Sequence, residues 1–482
     1  MTDALIWSVA IPLAGALTTL LLQRVASILV MITAVATTFS AGILLYTVAT
    51  QGAIAYEIGG WTAGLGIALR ADGLSALLVM LSAVVILASS IYANAYFNKA
   101  AQRAHFWPLW LLLWTSLNAL LLSGDLFNLY VTLELLGLSA VALASLGGKT
   151  AAVQAAMRYL LVGLLGSMMF LAGIALIYAG YGTLDLAFLA RIAEAGPLTW
   201  TALSLMTAGL LLKTALFPLH FWLPPAHGSA PAPVSAVLSA LVVKATFYLV
   251  IRLWMDIFSG VVTLQAAYLM GSLGGAAVLW GSWHALRSER LKLLAADSTI
   301  AQLGYLFLFF PVLLALPPGI ARDTAWGGLV ILALTHGLAK AGLFLAIGVI
   351  QQRSGNDNIA DLDGTVTVFR RQAGGFEIKN NDRIGLALPA TAHRQLSLQC
   401  LTGRPLPGSR WCTTCSSGSR PASRGSTART RTGAGWSRRP PSRRRCWTAS
   451  RSSTARRSGS WSGRSRCSRC APGSTRWHRR RC

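Results

Sequence analysis

Eleven apolar runs, each long enough to cross the ~30 Å hydrocarbon core of a bilayer as a helix, recur along residues 1–370 of this chain. They cover approximately residues 4–22, 25–48, 72–95, 106–123, 126–147, 157–180, 198–218, 231–254, 261–285, 294–316 and 326–350. Because backbone polar groups must be hydrogen-bonded within lipid, runs of this length form helices. The sequence therefore predicts an all-α polytopic membrane protein with about eleven transmembrane helices. The first ten residues contain no basic residue and the first run leads straight into the second, so we expect no cleavable signal peptide.

The composition changes beyond residue 370. Residues 1–370 hold 17 Lys+Arg and 14 Asp+Glu, a net charge of +3, whereas residues 371–482 hold 25 and 2, a net charge of +23; together these give the +26 of the whole chain. From Pro407 onward there is no Leu, Ile, Val, Met, Phe or Tyr, so this segment cannot offset its ordering entropy by burying apolar surface. We expect a transmembrane domain over residues 1–365 and a disordered, low-complexity basic tail over residues 366–482.

The tail has three interpretations. Its 24 arginines against one lysine, together with abundant serine and glycine, are typical of a GC-rich gene read out of frame, and we favour a frameshift near residues 365–385. All seven cysteines lie in the tail, and the pairs Cys412/Cys415 and Cys467/Cys470 have the spacing of zinc ligands. The 51 residues between the pairs offer no core, so we predict no metal site. The positive charge would attract any polyanion, and we predict no specific binding of nucleic acid.

The loops between the runs predict the orientation in the membrane. Loops after odd-numbered runs hold nine Lys and Arg residues, whereas loops after even-numbered runs hold four. Because positively charged loops stay in the cytoplasm, this bias places the N-terminus outside. We expect a multi-pass protein of a bacterial cytoplasmic (inner) membrane.

Two ionisable residues inside the runs mark a candidate functional site. Glu134 lies near the start of the fifth run, in NLYVTLELLGLSAVALASL, and Lys213 lies midway along the seventh, in LLKTALFPLHFWLPPAHG. A charge in lipid is costly unless a partner compensates it, and a lysine near mid-span cannot easily reach either surface. A carboxylate that approaches or leaves a buried lysine changes the affinity of that lysine for its proton. We predict that Lys213 carries a proton under the control of Glu134; the alternative is an ion pair that only holds helices together.

Three prolines predict a broken helix near residues 213–225. Pro218 lacks an amide donor and clashes with a preceding carbonyl, and Pro224 with Pro225 is expected to stop the helix. Broken backbone at membrane depth is tolerated only where it borders protein or water. The break is therefore a candidate polar path.

Five further ionisable side chains extend the predicted path. They are His220 and His227 beside the break, Lys244 deep in the eighth run, and His336 and Lys340 in the eleventh. The last two are four residues apart and share one helical face, which in lipid points toward protein or water. Histidine titrates near neutral pH, although His220 and His227 could equally be only hydrogen-bonded. Four polar residues at the start of the tenth run are expected to face inward in the same way: Asp297, Ser298, Thr299 and Gln302. A carboxylate, lysines and histidines on neighbouring helices predict a proton relay.

The transmembrane part of the sequence also lacks the signatures of several cofactors. Residues 1–370 contain no cysteine, which excludes iron–sulfur clusters held by thiolates there. They contain no GxxxxGK[ST] phosphate loop and no dinucleotide fingerprint after a strand. We expect no cofactor, no metal and no catalytic residue, and we predict a transporter subunit rather than an enzyme, driven by an ion gradient or by a partner.

The segment LLKTALFPLHFWLPPAHGSAPAPVSAVLSALVVKATFYLV resembles the core signature of the proton-conducting antiporter family. That family includes Mrp-type multisubunit sodium/proton antiporters and the antiporter-like membrane subunits of complex I. The segments at 56–78 and 128–146 look most like the D branch of the Mrp subunits, and those at 291–308 and 335–350 are similar to later helices of the family. The resemblance covers about residues 1–365.

The resemblance implies a fold of about fourteen helices with two inverted five-helix repeats, each containing one broken helix. It implies that Glu134 is the fifth-helix glutamate, Lys213 the seventh-helix lysine and Lys244 the eighth-helix relay lysine. His336 and Lys340 would fall in the eleventh-helix element that links to a second half-channel. It also implies other antiporter subunits as partners in a hetero-oligomeric membrane complex, with protons and Na⁺, or another monovalent cation, as the ions.

The sequence departs from the family after the eleventh helix. The family has a second broken helix beyond this point, and here the arginine-rich tail follows instead. We therefore expect a transporter truncated after helix 11, without the exit half-channel. Three functions stay open: a proton-translocating subunit of a cation/proton antiporter, a proton-pumping subunit of a complex I-like NADH:quinone oxidoreductase or membrane hydrogenase, and a non-functional truncated product.

Overall fold

The computed structural model describes residues 3–60, 66–148, 150–362, 367–372 and 375–380. The chain divides into two units, Met1–Ala387 and Leu388–Cys482, and every described residue belongs to the first. The predicted tail lies outside the described residues, apart from two short strands.

Helices account for most of the described residues. In chain order they are α1 (Asp3–Leu21), α2 (Ala26–Gln51), α3 (Gly73–Tyr96), α4 (Ala100–Leu121), α5 (Leu126–Ser145), α6 (Thr150–Tyr181), α7 (Leu186–Ile192), α8 (Pro197–Thr214), α9 (Leu223–Ser229), α10 (Ala232–Val237), α11 (Val243–Ile251), α12 (Leu264–Arg287), α13 (Leu291–Phe307), α14 (Phe309–Ala315) and α15 (Ile320–Ser354). Two antiparallel hairpins complete the described part, β1 (Ile54–Glu57) with β2 (Ala68–Ala71) and β3 (Thr367–Gln372) with β4 (Gly375–Asn380).

The prediction of an all-α polytopic membrane protein is confirmed. Each of the eleven apolar runs coincides with a helix or with consecutive helices. Eight helical segments of the described part are long and apolar enough to cross a membrane: Asp3–Leu21, Gln23–Gln51, Gly73–Tyr96, Leu126–Ser145, Thr150–Tyr181, Ala232–Ile257, Leu291–Ala315 and Ile320–Ser354. Helices α4, α8 and α12 match the other three runs.

The segment Ala232–Ile257 is the central helix of the bundle. Its most apolar stretch is completely buried, and it contacts α3, α4, α5, α8 and α15. Two π-helical stretches, Leu238–Val242 and Arg252–Ile257, flank α11 within it. Such irregular turns are frequent at functional sites. The first of them lies directly before Lys244 and α11.

The predicted broken helix is present. Helix α8 ends at Thr214, Ala215 adopts the left-handed conformation (φ 59°), and the chain resumes a helix only at α9. Pro218 lies in the non-helical connection between them. The expected role of Pro224 and Pro225 is wrong, because these residues begin α9 instead of ending a helix. The first turn of a helix has amide groups without intrahelical acceptors, so proline is tolerated there.

Candidate functional site

An ion pair between α5 and α8 lies at the helix break. The ammonium Nζ of Lys213 is 3.4 Å from Oε2 of Glu134, and the side chains are only 7% and 20% exposed. Lys213 is in the last turn of α8, and not midway along the helix as the sequence suggested, because the helix ends before Pro218. A cation is favoured at this end by the helix dipole. The sequence-predicted partners therefore do meet inside the bundle.

Glycines make the space that Lys213 occupies. A Cβ atom on Gly137 of α5 would lie 3.5 Å from Lys213 Nζ, in ordinary contact. On α6, a Cβ atom on Gly166 would lie 2.8 Å from the carbonyl oxygen of Gly209 and 3.0 Å from Lys213 Cγ. Small residues allow transmembrane helices to approach closely. This close approach of α6 and α8 fixes the lysine beside Glu134, and a cavity lined by both charges and by Tyr159 adjoins them.

The end of α8 is held by aromatic and hydroxyl contacts. The indole Nε1 of Trp222 donates a 2.9 Å hydrogen bond to the carbonyl of Leu212, which also accepts a 3.3 Å hydrogen bond from the amide of Ala215 at the end of the helix. The Tyr159 ring stacks on Trp222 with centroids 4.4 Å apart. Thr214 Oγ1 donates a 2.9 Å hydrogen bond to Thr246 Oγ1 of α11. These contacts join the break to the central helix, two residues from Lys244.

Lys244 is buried within the central helix, with 3% of the residue exposed. Its Nζ donates a 3.1 Å hydrogen bond to the carbonyl of Ser239, which lies in the first π-helical stretch. The hydroxyl of Ser239 is 2.8 Å from that of Thr299 on α13. The central helix is thereby linked to the polar start of α13 that the sequence singled out.

His336 and Lys340 of α15 are both buried, at 5% and 6% exposed. Lys340 Nζ donates a 3.1 Å hydrogen bond to the carbonyl of Ala295 and a second hydrogen bond to Ser298 Oγ. Neither ring nitrogen of His336 has a hydrogen-bond partner within the described part of the chain. The prediction that this helical face points inward agrees with this burial. Two of the four inward-facing polar residues expected on α13, Ser298 and Thr299, take part in these contacts.

The two histidines near the break lie in different surroundings. His227 in α9 is fully buried and stacks on Phe344 of α15, with ring centroids 4.9 Å apart. Its ring nitrogens, like those of His336, lack hydrogen-bond partners among the described residues. His220 lies instead against Phe217 and Trp280, with centroids 5.6 and 6.0 Å away, and is not among the residues that line the cavity beside Glu134.

The sequence did not single out the hydroxyl of Ser167 on α6, which donates a hydrogen bond to Oε2 of Glu134. Serine is common in membrane helices and usually bonds to its own backbone, so only the three-dimensional arrangement distinguishes this one. A second unpredicted cluster lies at the C-terminal end of the central helix. Arg252 there contacts Asp72 Oδ1 at 2.6 Å and Asp256 Oδ2 at 2.5 Å. Neither cluster belongs to a metal site of three or more His, Cys, Asp or Glu ligands in the described residues.

Residues 123–378, more than half of the chain, match the family described as "NADH:quinone oxidoreductase/Mrp antiporter, TM". The chain belongs to this family. The matched region of this NADH:quinone oxidoreductase/Mrp antiporter family includes the ion pair, the break, the central helix and α15, so the resemblance read from the sequence is confirmed.

Relatives of two kinds are similar to this chain in sequence. The chain is 35% identical to the N subunit of an NADH-quinone oxidoreductase from Desulforudis audaxviator, over 69% of this chain and 66% of that protein. It is 32% identical to the D subunit of a probable K⁺/H⁺ antiporter from Rhizobium meliloti, over 70% of this chain and 62% of the relative. The chain thus spans just under two thirds of the length of the curated relatives it matches.

Two solved structures have the same fold over most of the chain. A chain of the membrane-bound sulfane sulfur reductase, an archaeal respiratory membrane complex, has a TM-score of 0.70 and 29% identity, covering 76% of this chain and 74% of that chain. A chain of the Mrp complex from Dietzia sp. DQ12-45-1b has a TM-score of 0.68 and 27% identity, covering 74% and 66%. The protein is therefore a polytopic membrane protein of the NADH:quinone oxidoreductase/Mrp antiporter family by sequence and by fold.

Proposed function

We propose that this chain translocates protons across the membrane as a subunit of a multisubunit monovalent cation/proton antiporter. The observation that carries the proposal is the buried Glu134–Lys213 ion pair at the break in α8. Removing two charges from water costs several kcal/mol per ion, so an intramembrane pair marks a functional site by default. A proton moving onto or off either member changes the charge of the pair, which couples protonation to the position of the side chains.

The path runs from Glu134 and Lys213 through hydroxyl groups to Lys244 and on toward α15. Thr214 and Thr246 bridge the break to the central helix, and Ser239 with Thr299 bridges the central helix to α13. The proposed proton carriers are Glu134, Lys213, Lys244, His227, His336 and Lys340, with His220 as a peripheral member. Hydroxyls both donate and accept hydrogen bonds, which suits them to connect ionisable groups that lie on different helices.

Partners, ions and orientation belong to the same proposal. Relatives of this chain are named as subunits of Na⁺/H⁺ and K⁺/H⁺ antiporters, which supports other antiporter subunits as partners and a monovalent cation as the exchanged ion. We place the N-terminus outside, since nine of the thirteen loop cations follow odd-numbered spans. The chain would act through the ion gradient alone, as a transporter without a cofactor of its own.

Proton exchange in inverted membrane vesicles tests this function. The full chain and its partner subunits are expressed in an antiporter-deficient strain. Adding Na⁺ or K⁺ to its inverted vesicles should dissipate the pH gradient in the absence of NADH. We expect Glu134→Gln and Lys213→Ala each to reduce exchange by at least tenfold, because either change leaves an uncompensated partner or removes a proton carrier. Lys99→Ala, at an exposed lysine between α3 and α4, is the matched control and should retain exchange. Equal activity in all three variants would remove the relay.

A proton-pumping role in a redox assembly is the second candidate. It is favoured by the 35% identity to a NADH-quinone oxidoreductase subunit and by the structural match to a respiratory membrane complex. The ionisable residues would act in the same way, and only the energy source would differ. Proton uptake that strictly requires quinone reduction, and that Na⁺ or K⁺ does not drive, would favour this candidate over the antiporter.

The arginine-rich segment motivates a third candidate, a truncated product without transport. The family match ends at residue 378, before most of that segment, which supports the proposed frameshift near 365–385. The nucleotide sequence around codons 360–390 tests it, since a frameshift requires an apolar continuation in another frame. Mass spectrometry of membranes is the second measurement. If the full chain accumulates, peptides from residues 1–365 and from the arginine-rich segment must both be found.

A further inference from the structure

The hydroxyl of Ser167 and the ammonium of Lys213 share one acceptor. Both donate to Oε2 of Glu134, Ser167 from α6 and Lys213 from α8 at 3.4 Å. Ser167 is fully buried, whereas Glu134 retains 20% exposure toward the adjoining cavity. The carboxylate is therefore held from two helices at the same oxygen atom, by one charged donor and one neutral donor.

Ser167 differs from two comparable buried serines, Ser139 and Ser90, in where it donates. Ser139 of α5 donates to its own helix at the carbonyl of Leu135, 2.8 Å away, and Ser90 of α3 does the same at Ile86, 2.7 Å away. Back-bonding of this kind is the usual solution for serine in a membrane helix. Ser167 instead reaches across to α5 and donates to a carboxylate. Hydrogen bonds to an ionised acceptor are about twice as strong as those between neutral groups.

The packing of α6 makes this reach possible. The neighbouring Gly166 lies against Gly209 of α8, where a Cβ atom would meet the Gly209 carbonyl oxygen at 2.8 Å. Helix α6 is thus pressed against α8 at the level of the ion pair. The packing of the α6 backbone against α8 therefore brings the Ser167 hydroxyl within reach of Glu134.

We propose that Ser167 is a positioning residue that keeps Glu134 ionised and directed at Lys213 while the lysine loses and regains its proton. When Lys213 is neutral, the electrostatic attraction that holds the carboxylate disappears, and the Ser167 hydroxyl still donates to it. Glu134 then stays in place to attract the next proton onto Lys213 instead of taking up that proton itself. This inference deepens the proposed proton relay and rests on it for its role in transport.

Infrared difference spectroscopy of the full-length chain in vesicles provides the test, because it reports the protonated carboxyl group without requiring transport. The band that disappears in Glu134→Gln is assigned to Glu134 and followed against pH. We expect Ser167→Ala to move the midpoint of that band to higher pH by about one to two units, the size of one lost hydrogen bond to a charged group. Ser167→Thr keeps the hydroxyl and should move it by less than about half a unit. Ser139→Ala, a buried serine that bonds to its own helix, is the matched control and should not move it.

The pH profile of proton exchange is the second readout. The acidic limb should move in Ser167→Ala by the same interval as the infrared midpoint and return in Ser167→Thr. An unchanged midpoint and profile in Ser167→Ala would overturn the inference and leave the relay standing. A wild-type chain that exchanges no protons would overturn the proposed function, while the infrared midpoints still decide the role of Ser167. Should Ser167→Ala fail to fold, Ser167→Cys, whose thiol is a weak donor, must give a shift in the same direction.

Discussion

The three buried lysines of the site differ in the groups that accept their hydrogen bonds. Lys213 donates to a carboxylate, whereas Lys244 donates to a backbone carbonyl and Lys340 to a carbonyl and a hydroxyl. A carboxylate stabilises the charged form of a lysine, and a neutral acceptor compensates that charge much less. Lys213 is therefore the lysine whose proton depends on the position of another side chain. The other two can pass a proton along without leaving an unpaired carboxylate behind.

One carboxylate, which contacts the C-terminal end of the central helix, gives a pH-dependent prediction. Asp72 caps the start of α3 and contacts Arg252. Burial alone would raise the pKa of Asp72, but the hydrogen bond and charge of Arg252, together with hydrogen bonds from Ser75, outweigh it and lower the pKa below its ordinary value. A lowered pKa in the folded state contributes stability that is complete above the unfolded value near 4 and is lost as the pH falls below it.

We expect Asp72→Asn to lower the melting temperature of the purified chain at pH 6 to 8, because it leaves Arg252 without one of its two carboxylates. The difference between wild type and variant should shrink as the pH falls below about 4, since the wild-type carboxylate then takes up a proton as well. Asp323→Asn, at an exposed carboxylate in the first turn of α15, is the control and should change the melting temperature little at any pH. A difference that stays constant down to pH 3 would contradict the tie to Arg252.

Helix packing is the next scale, and here glycines decide where charges can meet. Lipid gives apolar helices no hydrophobic reason to associate, so close contact between small residues contributes much of the packing energy. Gly166 and Gly209 bring α6 and α8 together at the level of Lys213, and Gly274 with Gly304 does the same for α12 and α13. The ion pair is thus a consequence of backbone approach as well as of charge.

The variant Gly166→Ala tests whether the ion pair depends on this close approach, and Gly163→Ala on the same helix is its control. A Cβ atom at Gly166 meets backbone oxygen at 2.8 Å and Lys213 Cγ at 3.0 Å, whereas a Cβ atom at Gly163 meets nothing within 4 Å. We expect Gly166→Ala to destabilise the fold by about 1–3 kcal/mol, as overpacking does, and to reduce proton exchange by moving α8 away from Glu134. Gly163→Ala should be neutral or slightly stabilising. Thermal unfolding in detergent measures the first effect, and equal stability of the two variants would refute the close-approach argument.

Elements also show what the sequence can and cannot predict. Apolar runs predicted the helices because a continuous apolar run of about twenty residues can bond all its backbone groups within lipid as a helix, and the need of Glu134 and Lys213 for partners predicted a site that the structure brings together. The position of Lys213 within α8 and the role of Pro224 were predicted wrongly, because a helix boundary depends on the whole turn and not on one proline. Ser167 reads in the sequence like Ser139, since only tertiary packing decides which acceptor a hydroxyl reaches. The tail predictions stay predictions, because most of the tail lies outside the described residues.

At the scale of the whole molecule, the proposed relay joins two sets of helices around the central one. Helices α5, α6 and α8 hold Glu134, Ser167 and Lys213, while α13 and α15 surround Lys340. Lys244 lies between them on the one candidate membrane span of the described residues whose most apolar stretch is completely buried. A proton that entered at one set would have to cross the central helix to reach the other. The direction of that crossing with respect to the cytoplasm depends on the orientation of the chain.

Labelling of single cysteines from one side of the membrane tests that orientation. In a variant with the seven native cysteines changed to serine, Glu194→Cys lies between α7 and α8 and Lys99→Cys lies between α3 and α4, both at exposed positions. With the N-terminus outside, residue 99 follows an odd-numbered span and residue 194 an even-numbered one. We therefore expect an impermeant maleimide to label Glu194→Cys in intact cells and Lys99→Cys only in inverted vesicles. The reverse pattern would place the N-terminus in the cytoplasm. The nine-to-four bias of loop cations would then have failed to set the topology, and the proposed proton path would have the opposite direction with respect to the cytoplasm.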